Sequence, residues 1–417
     1  MSPITINAQR LNDLLDEFAQ IGKTANGGVT RLALSDLDKI ARDLFRHKAG
    51  AAGFGVKIDA IGNIFVRRDG RQPDLAPVLM GSHGDSQPKG GRFDGIYGVL
   101  AGLEVLLSLN DQNIETLRPI DLVMWTNEEG ARFAPAMMGA AVFTGKMTLA
   151  EALARTDRDG LSVGAELERI GYVGQDDFSQ YQIHAALEVH IEQGPILENH
   201  GNTIGVVTGA LGQKWYEVAF TGLASHAGTT PMDMRQDAGL GMAHAMVALN
   251  QLGMGEVDAG GRVTVGVTKL GPGSPNVIPA SAWFTLEVRH PRAEALERID
   301  GEVAQLMAKI AADHRLSVAV KPILSFTPLA FHPHCIQVVR EVTQALGYAH
   351  EDMVSGAGHD SCHLSHIAPT AMIFIPCIDG LSHNEAEDIT PEWSAAGADV
   401  LAHSMVRLAN EGERTEA

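Results

Sequence analysis

The chain has 417 residues, of which 45 % are hydrophobic and 20 % charged, and a formal net charge of −19. That length predicts two domains of ordinary soluble composition, and an acidic balance without a basic run excludes nucleic acid as a partner. Three cysteines, Cys335, Cys362 and Cys377, cannot complete a disulfide framework, so a reducing cytoplasm is expected.

At the N-terminus, "MSPITINAQRLNDLLDEFAQ" reads as an amphipathic helix rather than a signal peptide. Ser35 and Asp38 resemble a capping box, and Leu37, Ile40, Ala41, Leu44 and Phe45 form one face of the helix that follows. "KIDAIGNIFVRR" and "PVLMGS" read as strands, the second wholly apolar like a strand buried on both faces. A helix from about Gly98 to Leu109 leads to another apolar strand, "PIDLVMW". Its run "GVLAGLEVLLSL" is broken by Glu104, and no run reaches the ~18 apolar residues of a membrane span. A long irregular stretch through residues 150–185 precedes "LEVHIEQG". From Trp215 the order becomes β-α-β-β-α-β, ending at "LSVAVKP", which is the split motif of a ferredoxin-like domain. After "SFTPLAF", the strand "PTAMIFIPC" and a last helix resume the first domain.

This order predicts an α/β chain: a mixed, mostly parallel sheet covered by helices, with a ferredoxin-like α+β domain inserted. The boundaries fall at 1–213 for the first part of the sheet domain, 214–326 for the insertion and 327–417 for the second part, with hinges near 210–214 and 324–330.

Ligands in such sheets collect beyond the carboxyl ends of the strands. There, "GSHGDSQPKGGRFDGIYGVLAG" sets His83, Asp85 and Asp94 among glycines directly after an apolar run. Imidazole and carboxylate beside a core are costly unless something compensates them. Glu128 and Glu129 stand at a second strand end, in "TNEEG"; His190 lies in "EVHIEQG" and His383 in "GLSHNEAE". Taken singly, each histidine is more often structural, and a glutamate pair is more often a solvated helix start. The set is more informative, because its members follow strands of one sheet. Such donors suit Zn²⁺, Mn²⁺, Co²⁺ or Ni²⁺ better than Ca²⁺ or Mg²⁺. Two metals about 3.5–4 Å apart need a bridging carboxylate, for which Asp94 is the candidate. His83 with Glu129 then completes one site, and His190 with His383 the other. Asp85 is spaced to accept the second ring N–H of His83, and Glu128 is left as general base.

The motifs "GSHGDSQPKGGRFDGIYGVLAGLEVL", "WTNEEGARF", "HIEQGPILE", "SHAGTTPMDMRQDA", "PNVIP", "SGAGHDS" and "MIFIPCIDGLSHNEAE" resemble the M20 metallopeptidase clan. Within it they are similar to the amidase branch that holds N-carbamoyl-L-amino acid hydrolases, yeast-type β-alanine synthases (β-ureidopropionases) and allantoate amidohydrolases. The resemblance implies a zinc-exopeptidase-like fold and two divalent ions per subunit, Zn²⁺ first, with Mn²⁺, Co²⁺ or Ni²⁺ as alternatives. It implies the same ligands and the same base, and a homodimer whose inserted dimerisation and lid domain lends His226 to the partner's site to polarise the substrate carbonyl. Asn276 and Arg289 would hold the substrate carboxylate, with Gln193, Gln213 and Gly358 as further contacts. Arg289 also has a plainer reading, a salt bridge with Glu287. His359 and Asp360 fall near the pocket, and Gly84 replaces a bulkier apolar residue, which would enlarge the cavity.

The implied reaction is hydrolysis of a linear amide C–N bond, taking an N-carbamoyl-β-alanine or N-carbamoyl-L-amino acid to the amino acid, CO₂ and ammonia. Allantoate is the alternative substrate; an M20 peptidase and a non-catalytic metal-dependent binding protein are the remaining readings. "HPHC" and "CHLSH" lack a complete four-ligand spacing and are not expected to hold metal.

Overall fold

The structure is a computed structural model describing residues 4–412, so the outermost residues of the domain ranges drawn above lie outside the described residues. In chain order its strands are β1 Gly55–Ile58, β2 Ile64–Arg68, β3 Val78–His83, β4 Ile120–Trp125, β5 Ala185–Ile191, β6 Ile204–Ala210, β7 Gly212–Thr221, β8 Arg262–Gly271, β9 Ser281–His290, β10 Ser317–Phe326, β11 Leu329–Ala330, β12 His350–Ser355 and β13 Thr370–Ile375. Two compact units result. One runs to Thr208 and resumes at Phe331; the other is Gly209–Ala330. The strand patterns put these crossings at 213/214 and 326/327. The difference arises because β11 pairs with Gly209 and Ala210, so both short segments go with the second unit.

In the first unit the sheet order is β1-β2-β4-β3-β5-β13-β6, with β12 also on β6. β4, β3, β5 and β13 are parallel, while β2 and β6 join antiparallel at the flanks. The four parallel strands are buried along their whole length, which is why they read as continuous apolar runs. Register sets His83 beside Trp125 and Phe374 beside His190, so the carboxyl ends open at one edge. The stretch 150–185 is less irregular than expected: Thr148 and Ser162 cap the short helices Leu149–Leu153 and Val163–Ile170.

Helix Asp36–Ala51 corrects the sequence reading. Ser35 caps it by accepting the Asp38 N–H, but the Asp38 carboxylate answers to Leu34 N at 2.7 Å, so no reciprocal box forms. Leu37 and Ile40 are exposed, while Ala41 and Phe45 are buried as expected, together with Asp38 and Arg42. Arg42 spans Asp38, Gly62 O and Thr126 Oγ1. Reaching those oxygens satisfies a charge that burial would otherwise penalise.

The second unit follows the order β7, helix Ala238–Met254, β8, β9, helix Ala293–Asp313, β10. Its antiparallel sheet runs β10-β7-β9-β8. Alternate residues of β7 and β9, among them Tyr216, Val218, Phe220, Phe284, Leu286 and Val288, pack with both helices into one core. Leu240, Met246, Val247 and Met254 of the first helix, and Val267 and Leu270 of the edge strand β8, stay exposed. No described helix is long and apolar enough to cross a membrane.

Candidate metal centre

The parallel strand ends deliver their histidines with one nitrogen already committed. His83 Nδ1 lies 2.9 Å from the Asp85 carbonyl oxygen and His190 Nδ1 lies 2.9 Å from the Ile191 carbonyl oxygen. A carbonyl can only accept, so Nδ1 carries a hydrogen in both rings and Nε2 is the nitrogen left to ligate. The Gly95 N–H also faces His190 Nε2, at 3.2 Å.

Asp94 sits between two of the rings. Its Oδ1 is 3.3 Å from His190 Nε2, and its Oδ2 is 3.1 Å from His383 Nε2. His383 Nε2 is also 3.4 Å from Glu129 Oε2, and His83 Nε2 is 3.5 Å from Glu128 Oε2. Two donor groups share Asp94, His83–Asp94–His190 and Asp94–Glu129–His383, and a third among the described residues, Glu188–His190–His359, shares His190. This corrects the pairing drawn on the sequence: Glu129 goes with His383, and His190 with His83. Strand order decides it, because β3 and β5 are neighbours and bring their histidines together.

Asp85 is also corrected. Its carboxylate stands 3.8 Å from His83 Nδ1, beyond hydrogen-bond reach, and instead accepts the N–H groups of Glu128 at 3.2 Å and Glu129 at 3.3 Å. The backbone carbonyl orients the histidine, and the side chain orients the glutamate pair. Gly84 opens no cavity, since a Cβ there would meet Met124 Sδ at 3.1 Å.

The glycines of the first loop have two clear causes. A Cβ on Gly91 would lie 1.9 Å from the Glu387 carboxyl, and one on Gly95, at φ 67°, would lie 2.2 Å from the His83 ring.

The electrostatics describe a site short of positive charge. Burial pushes Glu129 up to about 8, aided by Asp94. Glu128 goes well above the usual range through burial, Asp360 and Glu129. Asp85 rises to about 7 by burial and Asp38. Burial also works against His190, yet Asp94 lifts it to about 9. A hydrogen bond to Asp94 lifts His383 to about 9 against burial. Burial takes His83 down to about 4. Three imidazoles facing buried carboxylates whose charges repel one another fit divalent cations, which would neutralise the acids and take the place of the protons on the Nε2 atoms that face Asp94.

Several supports were not singled out in the sequence. Glu387 accepts the N–H groups of Phe93 and Asp94, both at 3.0 Å, and the Ser382 hydroxyl at 2.9 Å. Gln87 donates its backbone and side-chain N–H groups to the Glu129 carboxylate, each at 2.9 Å. Glu188 accepts from Ser82 and Ser361 beneath the histidines. Glu387 lies inside the quoted "HNEAE" run, but an acid in a charged loop gives no sign that it turns inward.

Gln193 Nε2 reaches both Asp94 oxygens at 3.2 and 3.3 Å. Gly358 lies beside Met137. The His359 ring is 4.6 Å from that of His190, and Asp360 is buried with neither carboxyl oxygen hydrogen-bonded. The metal-like decoys form no donor group among the described residues; His334 instead pairs with Glu411, and His363 falls in helix Asp360–Leu364 with His366 beyond it.

The second unit holds the other expected residues. Asn276 Nδ2 is 3.2 Å from His226 Nε2. Arg289 pairs with Glu287 at 2.5 Å, the plainer of its two readings, and stands opposite Gln213 in the β7–β9 register.

A parallel-centred α/β sheet that gathers three imidazoles and a central aspartate at its carboxyl edge has the fold and donor set of a metallohydrolase. Residues 79–407 match the model of peptidase family M20/M25/M40. An N-carbamoyl-L-amino-acid amidohydrolase of Rhizobium meliloti is 45% identical over 97% of both chains, and a ureidoglycolate hydrolase of Arabidopsis thaliana is 34% identical over 98% of this chain and 88% of its own. The crystal structure of a hydantoinase/carbamoylase-family amidase from Burkholderia multivorans superposes with a TM-score of 0.94 at 53% identity, over 98% of this chain and 99% of that one. The chain belongs to the M20 family of hydrolases.

Proposed function

We propose that this protein hydrolyses the ureido group of an N-carbamoyl amino acid, either an N-carbamoyl-L-amino acid or N-carbamoyl-β-alanine, to the free amino acid, CO₂ and ammonia. The observation that carries the reading is Asp94 held between His190 and His383, in a chain similar over its length to proteins named N-carbamoyl-L-amino-acid amidohydrolases. His83, Asp94, His190, Glu129 and His383 would hold two divalent ions, Zn²⁺ foremost. When bound, such ions lower the pKa of water and polarise a carbonyl.

The chain's own residues do the rest. Glu128, next to the ligand Glu129, takes the attacking water's proton at its carboxylate and returns it to the leaving nitrogen. Asp85 fixes the backbone of both glutamates. His226 donates a hydrogen bond to the substrate carbonyl as negative charge builds there. Asn276 and the planar fork of Arg289 receive the substrate carboxylate, Arg289 sharing its charge with Glu287. Gln213 and Gly358 add contacts, and Gln193 offers a buried amide oxygen that has no hydrogen-bond partner.

The second unit serves as lid and dimerisation domain, and His226 works in the partner subunit's site. Support comes from the exposed apolar residues on helix Ala238–Met254 and on β8, an unpaired sheet edge. The enzyme works in the cytoplasm.

The test is ammonia release from N-carbamoyl-L-methionine, N-carbamoyl-β-alanine, allantoate and ureidoglycolate, measured side by side on metal-loaded protein. An N-carbamoyl amino acid should lead, a chelator should abolish turnover, and Zn²⁺, Mn²⁺, Co²⁺ or Ni²⁺ should restore it. Folded, metal-loaded protein that is inert towards all four compounds would refute the reading.

A further inference from the structure

The His226 imidazole is held by backbone. Gly228 N–H and Thr229 N–H both donate to His226 Nδ1, at 3.0 and 3.1 Å. A ring nitrogen accepting two N–H bonds has its lone pair in use and carries no hydrogen, so the ring hydrogen sits on Nε2. Asn276 faces that nitrogen at 3.2 Å. With Nε2 as donor, Asn276 must turn its amide oxygen towards it. The Nε2–H that Asn276 receives is the one a substrate carbonyl would take over.

His226, Gly228 and Thr229 are exposed, so water competes for these bonds, and two amides can hold a ring only from a rigid loop. Arg235 supplies the rigidity. Its Nε donates to Thr230 O at 3.1 Å and its terminal nitrogen to Ala227 O at 2.7 Å. Those carbonyls flank the Gly228–Thr229 pair on either side, so one guanidinium fork clamps both ends of the segment whose amides grip the imidazole. Thr230 N closes the turn onto His226 O, and Ala227 N onto Asn276 O. Arg315 in turn donates to the carbonyls of Asp233 and Arg235.

We propose that Arg235 is a positioning residue that, through the 226–230 loop, holds His226 as a neutral imidazole with its hydrogen on Nε2, ready to donate to the carbonyl oxygen. The inference rests on the reading of His226 given above, and it deepens that reading by naming the tautomer and the group that enforces it.

The test uses full-length, metal-loaded protein with ¹⁵N-labelled histidine, the His226 ring being assigned by its loss in His226→Gln. Two-bond ¹H–¹⁵N correlations should show a hydrogen-bearing Nε2 and a bare Nδ1, and Arg235→Ala should mix the tautomers. His226→Ala should cost about 10²–10³ in kcat. Arg235→Ala should lower kcat about tenfold or more with KM nearly unchanged, as expected when an oriented group is loosened. In the His226→Ala background, Arg235→Ala should cost nothing further. Arg235→Gln, which retains one donor group, should fall between and replaces the alanine variant if that folds poorly. A hydrogen on Nδ1, an unchanged kcat in folded Arg235 variants, or losses that multiply in the double variant would overturn the proposal. The spectrum reads the ring whatever the turnover. If the tautomer and its dependence on Arg235 hold while His226→Ala keeps full activity, the clamp stands, and the role given to His226 in catalysis is what fails.

Discussion

The Glu387 carboxylate accepts the main-chain N–H of Asp94 at 3.0 Å, and one of its oxygens takes the Phe93 N–H as well. A residue near the C-terminus thus fixes the loop that carries the central carboxylate. Glu387→Ala should weaken metal binding by about 10–100-fold, the usual cost of losing a group that orients a ligand. Glu387→Gln keeps one acceptor oxygen and should lose less. Competition with a fluorescent chelator measures both; equal affinity in wild type and the alanine variant would remove Glu387 from the site.

Glu128 and Glu129 are adjacent but separable by experiment. Glu128→Gln should retain both metals by elemental analysis while losing about 10²–10⁴ in kcat, the range for a general base. Glu129→Gln should lose metal first. Normal turnover in Glu128→Gln would assign the base elsewhere.

Gly95→Ala tests the close approach at the first loop. A non-glycine residue at φ 67° costs about 1–3 kcal/mol, and the new methyl would also displace the His83 ring. The variant should melt lower than wild type and gain less stability on adding Zn²⁺. An identical metal-induced rise in Tm would show that the loop adapts.

Asp59 gives the pH dependence of stability a sign. Burial raises its folded pKa from 3.8 to about 6, even though it accepts hydrogen bonds from Ile61 N, Asn63 N and Asn63 Nδ2. Between those values the folded chain holds a proton that the unfolded chain has released, so stability falls as pH rises from 3.8 to about 6 and stays lower above. The loss from this one group is about 3 kcal/mol. Denaturant titrations at pH 4 and pH 7 should show that fall shrinking in Asp59→Asn; an unchanged difference would place the titration on another residue.

Much of the frame was legible in the chain. The apolar runs that became β3, β4, β5 and β13, and the Ser35 cap, are local patterns, and local patterns reflect forces acting within a few residues. The second unit's β-α-β-β-α-β order was legible for the same reason. The face of helix Asp36–Ala51 was legible only in part: Ala41 and Phe45 are buried, but Leu37 and Ile40 are not, because the buried partner at Thr126 is reached by Arg42, and that neighbour is distant in sequence.

At the metal centre, the residue types were set by the sequence itself: imidazoles and carboxylates directly after apolar strands have few uses that repay their desolvation. Which donors meet was a tertiary decision. Neighbouring β3 and β5 join His83 to His190, Asp94 reaches both groups, and Asp85 turns its carboxylate to the glutamate backbone rather than to the ring. A strand's place in a sheet depends on contacts between segments a hundred residues apart, and no spacing within one segment encodes it.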